Sequence, residues 1–417
     1  MKAKPIAALL LAALLLFAGC APAESGESFY VQFEMQQSDL CVDGRQLPAA
    51  EFSALASEMR ARIAQLEEEF STDLAGSDLQ RVNAAAAGEA VSVSADTMEA
   101  FELAAAFSQR TGGAFSPALF PLTELWGFSP ADEGHYNDAR PSPAAEEIAA
   151  ARAVSDLSLF SADASALTIA KGADGAKLDF GGIAKGYMSD EVLAILRARY
   201  PDSRIDAIFS VMSNHILLGE RVLADGGRRG YTASVTNPRY DPENPADACL
   251  YIVGLSDVAL TTSADNYRFY IGEEGRLYPH IIDGRTGEPA DNGIISITIV
   301  MPLSVPHAGA LSDALSTAGF CMPLTEALAF YGQMSEAYGA SAVIVTADFR
   351  YYTAGEAQVL GRKAYAQYAN DYLGAHNDVE AIEEVFAPAD GAPSDDVVPC
   401  AEELAYRERM AALFAAA

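Results

Sequence analysis

Residues Leu178–Tyr187 read LDFGGIAKGY, and no other run in the chain constrains the fold as tightly. Its spacing predicts a strand that ends on the carboxylate of Asp179, a turn at Gly181–Gly182, and a helix from about Ile183 to Arg199. Adjacent glycines at a helix start let backbone amides approach a phosphate or a nucleotide ring. Lys185 adds a point charge for phosphate. A glycine turn into a helix also serves as plain punctuation, so a ligand here needs support from elsewhere.

Charge limits what that ligand meets. The 417-residue chain carries a formal net charge of −31. Such a chain repels nucleic-acid phosphates, which argues against a nucleic-acid partner. An anionic ligand then requires a local device such as a metal ion or a glycine-rich turn.

The N-terminus reads as a targeting segment. Lys2 and Lys4 precede an apolar stretch, Ile6–Phe17, that is too short to span a bilayer as a helix. Phe17-Ala18-Gly19-Cys20 resembles a bacterial lipobox, which makes Cys20 the lipidated residue and residues 1–19 the signal peptide. Cleavage of an ordinary signal peptide near Ala21–Ala23 is the alternative. Losing Lys2 and Lys4 takes the mature chain to about −33. Acyl chains on Cys20 would tether an otherwise soluble domain to a membrane, with residues 20–28 as a tether. Cys41, Cys249, Cys321 and Cys400 form no CxxC or zinc spacing; export permits a disulfide, and Cys321 lies in an apolar run that reads as core.

Further clusters carry possible chemistry. In Tyr278–Gly287, YPHIIDGRTG, His280 is a natural general base near neutral pH, or else a histidine at a strand end. In Leu311–Thr317, Asp313 and Thr317 lie one helical turn apart on one face. A carboxylate with a hydroxyl is hard-oxygen chemistry suited to Mg2+, or simply a solvated face. Three other segments stand out: Ser71–Asn83, Gly112–Phe128 with the single Trp126, and Thr261–Arg268. A flavin ring could pack near the aromatics of the second, although core packing is their default.

Periodicity predicts helices over 51–70, 95–110, 141–154, 308–318, 324–336 and 402–415. It predicts strands at 29–33, 205–210, 216–218, 231–235, 250–255 and 294–301, with a hairpin at 342–354. A hairpin is also expected over Leu167–Phe180, turning at Gly172–Gly175. Strands and helices mix without strict alternation, so the fold class is α+β.

Taken in order, the clusters resemble the ApbE family of FAD:protein FMN transferases. The family's six landmarks are an FS-T/Y segment followed by S-x-L/I-x-x-x-N, a GAFD-P segment leading to LWGF, DLGGIAKGY, TSGxYxR, HIIDPxTG and an ADxxxT helix. Counterparts of all six occur in that order across residues 29–362. The resemblance implies a two-part α+β fold with FAD in the cleft between the parts; by its composition, 363–417 reads as an acidic C-terminal extension without a family counterpart. The resemblance also implies a lipid-anchored, extracytoplasmic enzyme of the bacterial cell envelope.

Residue by residue, the resemblance implies that Asp179 and Lys185 contact FAD. It makes Asp313 and Thr317 side-chain ligands of Mg2+, with the backbone of Gly182 as a third. His280 becomes the base for the acceptor hydroxyl, and Ile282 lies where the chain touches the nucleotide. Ala114, Phe115 and Ser116 fall on a flavin-contacting stretch, and Asp73 on a position that tunes whether FAD is held or turned over. The chain departs from the pattern at Ser116, Gly284, Ser312 and Met212–His215, the last replacing a glycine pair. The implied reaction is Mg2+-dependent transfer of FMN from FAD to a Thr or Ser of an envelope redox protein, releasing AMP. A lipoprotein that binds FAD, or hydrolyses it to FMN and AMP without protein transfer, is the alternative.

Overall fold

The computed structural model describes residues 32–415, apart from 139, 224–225, 240–247 and 273–274. The lipobox, Cys20 and the strand expected from Phe29 up to residue 31 lie outside the described residues. No helix among the described residues is long and apolar enough to cross a membrane.

A nine-stranded sheet forms the centre. Seven of its strands lie side by side in chain order: β1 (Phe33–Val42), β2 (Ile205–Val211), β3 (Asn214–Leu218), β4 (Val258–Ala264), β5 (Ile294–Pro302), β6 (Ser341–Thr346) and β7 (Arg350–Ala354). Each is antiparallel to the next. β5 is buried along nearly its whole length because both faces of the sheet are covered. Ile297, Ile299 and Met301 join the core on the helical side. Ile295 and Val300 join a second core, shared with a small sheet made of Tyr231–Thr236, Ala248–Leu255 and Gln358–Gly361. Each such side chain contributes about 1.5–3 kcal/mol of hydrophobic stabilisation.

Helices α1 (Ala49–Phe70), α2 (Ala95–Arg110), α3 (Ala184–Arg199), α4 (Ala308–Phe320), α5 (Leu324–Tyr338) and α6 (Ala401–Ala415) follow the periodic runs closely. α1 buries Leu55, Met59, Ile63 and Leu66 at helical spacing. Ser94 caps α2 by accepting from the Thr97 amide. The helix expected over 141–154 is shorter, Ala145–Ala153. The observed mixture of sheets and helices is α+β.

α4 lies across β4 and β5, and α3 crosses it at one close point. A Cβ on Gly186 would sit 2.1 Å from the Gly309 carbonyl oxygen, and one on Gly309 would sit 2.4 Å from that of Gly186. Only glycine fits at either position. Asp190 of α3 then accepts from the Gly309 and Ala310 amides at 2.8 and 2.9 Å, closing the N-terminus of α4. The two helices are thereby fixed one turn before Asp313.

The hairpin expected over Leu167–Phe180 does not form. Thr168–Lys171 pairs instead with Phe160–Asp163 and with Ala90–Ser92. Leu178 and Asp179 find backbone partners without a ladder: Asn83 bonds both the amide and the carbonyl of Leu178, at 2.7 and 2.9 Å, and the Asp179 amide bonds the Pro117 carbonyl at 2.8 Å. The C-terminal stretch packs onto the body of the fold. Ala387–Pro388 adds to the edge of the main sheet, and the Cys400 amide bonds the Ala347 carbonyl at 3.0 Å. Cys41, Cys249, Cys321 and Cys400 are free thiols, and Cys321 is buried core.

Candidate active site

The site grows from the turn between Asp179 and Ala184. Gly181 donates its amide to the Asp179 carboxylate at 2.8 Å, and Ile183 and Ala184 fold back onto the Phe180 carbonyl. A Cβ on Gly182 would meet the Phe115 ring at 3.0 Å and Thr317 Oγ1 at 3.4 Å. Glycine therefore lets the turn approach both the aromatic floor and the α4 hydroxyl. Lys185, in the first turn of α3, reaches the Gly181 carbonyl at 2.8 Å and Asp313 Oδ1 at 3.0 Å. The Gly186 amide donates to Asp313 Oδ2 at 3.2 Å. Asp313 is thus buried, aimed at the glycine turn, and already holding a positive group.

Within the electrostatic reach of Lys185 lies His280. Its backbone amide and its Nδ1 both meet the Arg268 carbonyl, at 2.9 and 3.2 Å. A carbonyl only accepts, so Nδ1 carries the ring proton and Nε2 keeps its lone pair. Burial, helped by the positive charges of Arg268 and Lys185, pulls the imidazole down to about 3. Those same two cations act on Asp179, whose carboxyl burial pushes above its ordinary value while the Gly181 amide, Arg268 and Lys185 pull it back. Asp179, Lys185, Arg268 and His280 therefore share one electrostatic neighbourhood.

Ala114 and Phe115 are buried, with Phe115 beneath the glycine turn. Ser116 is half-buried and accepts from the Ala118 amide at 3.2 Å. Ile282 is buried with Trp126, Phe128 and Tyr270, so its backbone is what it can offer a nucleotide. Trp126 donates to the Gly287 carbonyl at 2.8 Å and stacks on Tyr278, which makes it core. Asp73 is exposed and paired with Ser71 at 2.7 Å; it acts on Glu133 and Tyr136, the groups Arg268 also faces.

The departures find physical places. Gly284 has Leu119 where a side chain would go, 2.9 Å from an added Cβ. Ser312 and Asn214 touch each other at 3.2 Å, and both bond Thr261 of β4. Met212 takes the left-handed conformation at the two-residue turn between β2 and β3, with φ of 51°. A glycine would adopt that conformation without strain. Two contributors escaped the sequence assignment. Arg268 lay inside a noted segment but was given no role; Asn83, the last residue of the first landmark, holds the Leu178 backbone in place.

His215 supplies a pH test outside the site. Burial lowers its imidazole to about 4, and Nδ1 sits 2.7 Å from Ser210 Oγ. Below about pH 6.5 the unfolded chain takes up a proton that the folded chain refuses, so stability falls from there down to about pH 4. Urea midpoints at pH 7 and pH 5 will show a larger loss in the native chain than in His215→Gln, which keeps a hydrogen-bonding group but does not titrate. Equal losses would contradict this.

A buried carboxylate beside a glycine turn, two cations and an imidazole share one neighbourhood in an α+β fold. The ApbE family model matches residues 30–341, and the chain belongs to that family. It is 29% identical over 307 residues to the FAD:protein FMN transferase of Treponema pallidum (strain Nichols), covering 73% of this chain and 80% of that one. The FAD:protein FMN transferase of Vibrio cholerae is 28% identical over 319 residues, covering 74% and 86%. Among solved structures, the ApbE protein of Thermotoga maritima superposes with a TM-score of 0.60 at 26% identity, covering 76% of this chain and 91% of that one. The apo flavinyl transferase ApbE of Pseudomonas stutzeri superposes with a TM-score of 0.59 at 25% identity, covering 81% and 96%.

Proposed function

We propose that this chain transfers FMN from FAD to a Thr or Ser hydroxyl of an acceptor protein, releasing AMP, with Mg2+ at Asp313 and Thr317. Transfer of flavin from FAD to protein is supported by its family membership and by the relatives named for that reaction. The metal, the hydroxyl and the leaving group are what the resemblance to the family implies.

The observation that carries the proposal is the Lys185 ammonium on the buried Asp313 carboxylate beside Gly182. A cation is already favoured there in a chain of net charge −31. The donors are one carboxylate, one hydroxyl and the Gly182 backbone, and no cluster of three or more His, Cys, Asp or Glu residues suited to a metal occurs among the described residues. That set fits Mg2+, which keeps waters and binds substrate phosphates rather than filling an all-protein cage. When bound, Mg2+ would offset charge on the pyrophosphate.

The remaining work falls to the chain's own groups. Lys185 would hold a phosphoryl oxygen, and Arg268 would add charge nearby. The lone pair at His280 Nε2 would take the proton of the attacking hydroxyl as its oxygen bonds to the FMN phosphorus. The bond to the AMP phosphate breaks in the same displacement, and AMP departs with that electron pair. An incoming pyrophosphate would also offset the repulsion from Arg268 and Lys185, raising the affinity of the imidazole for that proton.

The test incubates the chain from residue 21 with FAD, Mg2+ and an acceptor domain bearing a Thr or Ser, alongside the same domain with Ala at that position. Mass mapping is expected to find FMN on the hydroxyl residue and none on the Ala domain. AMP without adduct would make the chain an FAD hydrolase, and intact bound FAD would make it a binder. We further propose that the enzyme is anchored in the bacterial cell envelope through lipidated Cys20, acting there on an envelope redox protein. Fatty-acid labelling lost in Cys20→Ala would support the anchor; labelling retained in that variant would refute it.

A further inference from the structure

The C-terminal helix α6 lies beyond the matched residues 30–341, yet it inserts a fully buried carboxylate into the body of the protein. Glu403 bonds Arg239 through both oxygens, one contact being at 3.1 Å, and also accepts from Arg407 at 2.7 Å. The other edge of the Arg239 guanidinium holds Asp265 in a two-bond fork at 2.6 and 2.7 Å. The Tyr406 ring lies 4.7 Å from the same guanidinium. Arg239, Asp265 and Glu403 are all buried, so this fork is rigid and shielded from solvent.

Asp265 opens the segment Asp265–Arg268. Just past its far end, Phe269 packs with Leu277 against Tyr406 and Met410 of the same helix. α6 therefore grips the segment on both sides, by charge at Asp265 and by apolar contact at Phe269. Between the two grips lie Asn266, whose buried Oδ1 has no partner among the described residues, exposed Tyr267, and Arg268. The carbonyl of Arg268 orients His280.

We infer that α6 is a positioning element of the active site, with Glu403 acting through Arg239 and Asp265 to hold the Arg268 carbonyl and hence His280 in register. The inference rests on the proposed transfer for its kinetic readout only. Full-length Glu403→Gln keeps the shape of the side chain and removes its charge. Its kcat is expected to fall about tenfold, as loss of alignment costs rate, while KM for FAD stays within about twofold. Hydrogen exchange over 265–280 is expected to speed up while Leu178–Gly186 keeps native protection.

Should Glu403→Gln fail to fold, Tyr406→Ala leaves every charge of the fork in place and is expected to give the same pattern. A folded variant with native kcat and native exchange over 265–280 would overturn the inference. So would exchange that accelerates equally over 178–186, which marks general loss of stability. If the native chain transfers no FMN, the proposed function falls, and the exchange pattern alone still decides whether α6 holds this segment.

Discussion

Asp313→Ala will reduce acceptor flavinylation by about 10³-fold or more, the scale seen when phosphoryl transfer loses its charge neutralisation. The side chain joins three parts of the site at once. It holds the Lys185 ammonium, accepts the Gly186 amide, and shares a helical face with Thr317. The Ala variant frees Lys185 from its carboxylate and leaves the Gly186 N–H buried without a partner, at about 1–3 kcal/mol. Asp313→Asn separates these effects. Its amide oxygen can still accept from Gly186, so the α3–α4 crossing survives, while the negative charge that would hold a cation is gone. Initial rates of flavinylation for both variants, measured across Mg2+ concentrations, check the account. A rate within tenfold of the native chain for either one would remove Asp313 from the site.

His280→Asn is expected to lower kcat by about 10²–10⁴-fold, the usual contribution of a general base. An Asn amide can still donate to the Arg268 carbonyl, which now receives Nδ1 at 3.2 Å. It has no counterpart to the Nε2 lone pair. FAD binding should therefore survive, and the loss should fall on kcat rather than on KM. Kinetics over FAD concentration separate the two. A variant with native kcat would contradict the role given to His280, and one with only a raised KM would make it a binding residue.

Much of the fold was legible because its signals are local. α1 and α2 carry apolar residues at helical spacing, and α2 has its Ser94 cap. β5 is a β-branched run buried on two faces. What escaped depends on partners distant in sequence. β4, VALTTSA, sits in the middle of the main sheet, yet its latter half is Thr and Ser. Buried Thr261 meets Ser312 and half-buried Ser263 meets Ser316, both of α4, a pairing no local pattern reveals. The false hairpin over 167–180 failed for a similar reason, since Asn83 supplies the bonds that a strand partner would have supplied.

The site divides the same way. Its glycine turn, imidazole and α4 carboxylate were readable as motifs, and the fold brings Gly182 beside Thr317 and Lys185 onto Asp313. The need for glycine at 186 and 309 was not readable, because it arises only where two helices cross. Nor was the role of the C-terminal stretch. The helix over 402–415 was readable from its periodicity, but not that Glu403 would be fully buried against Arg239.

The most direct measurement is the ratio of AMP released to acceptor flavinylated in one reaction of the native chain with FAD, Mg2+ and a Thr- or Ser-bearing acceptor. Transfer at a site built on Asp313, Lys185 and His280 predicts one AMP for each FMN found on the hydroxyl, with both products lost together in Asp313→Asn. Adduct formed without AMP, or AMP formed with no adduct on any acceptor hydroxyl, would contradict it.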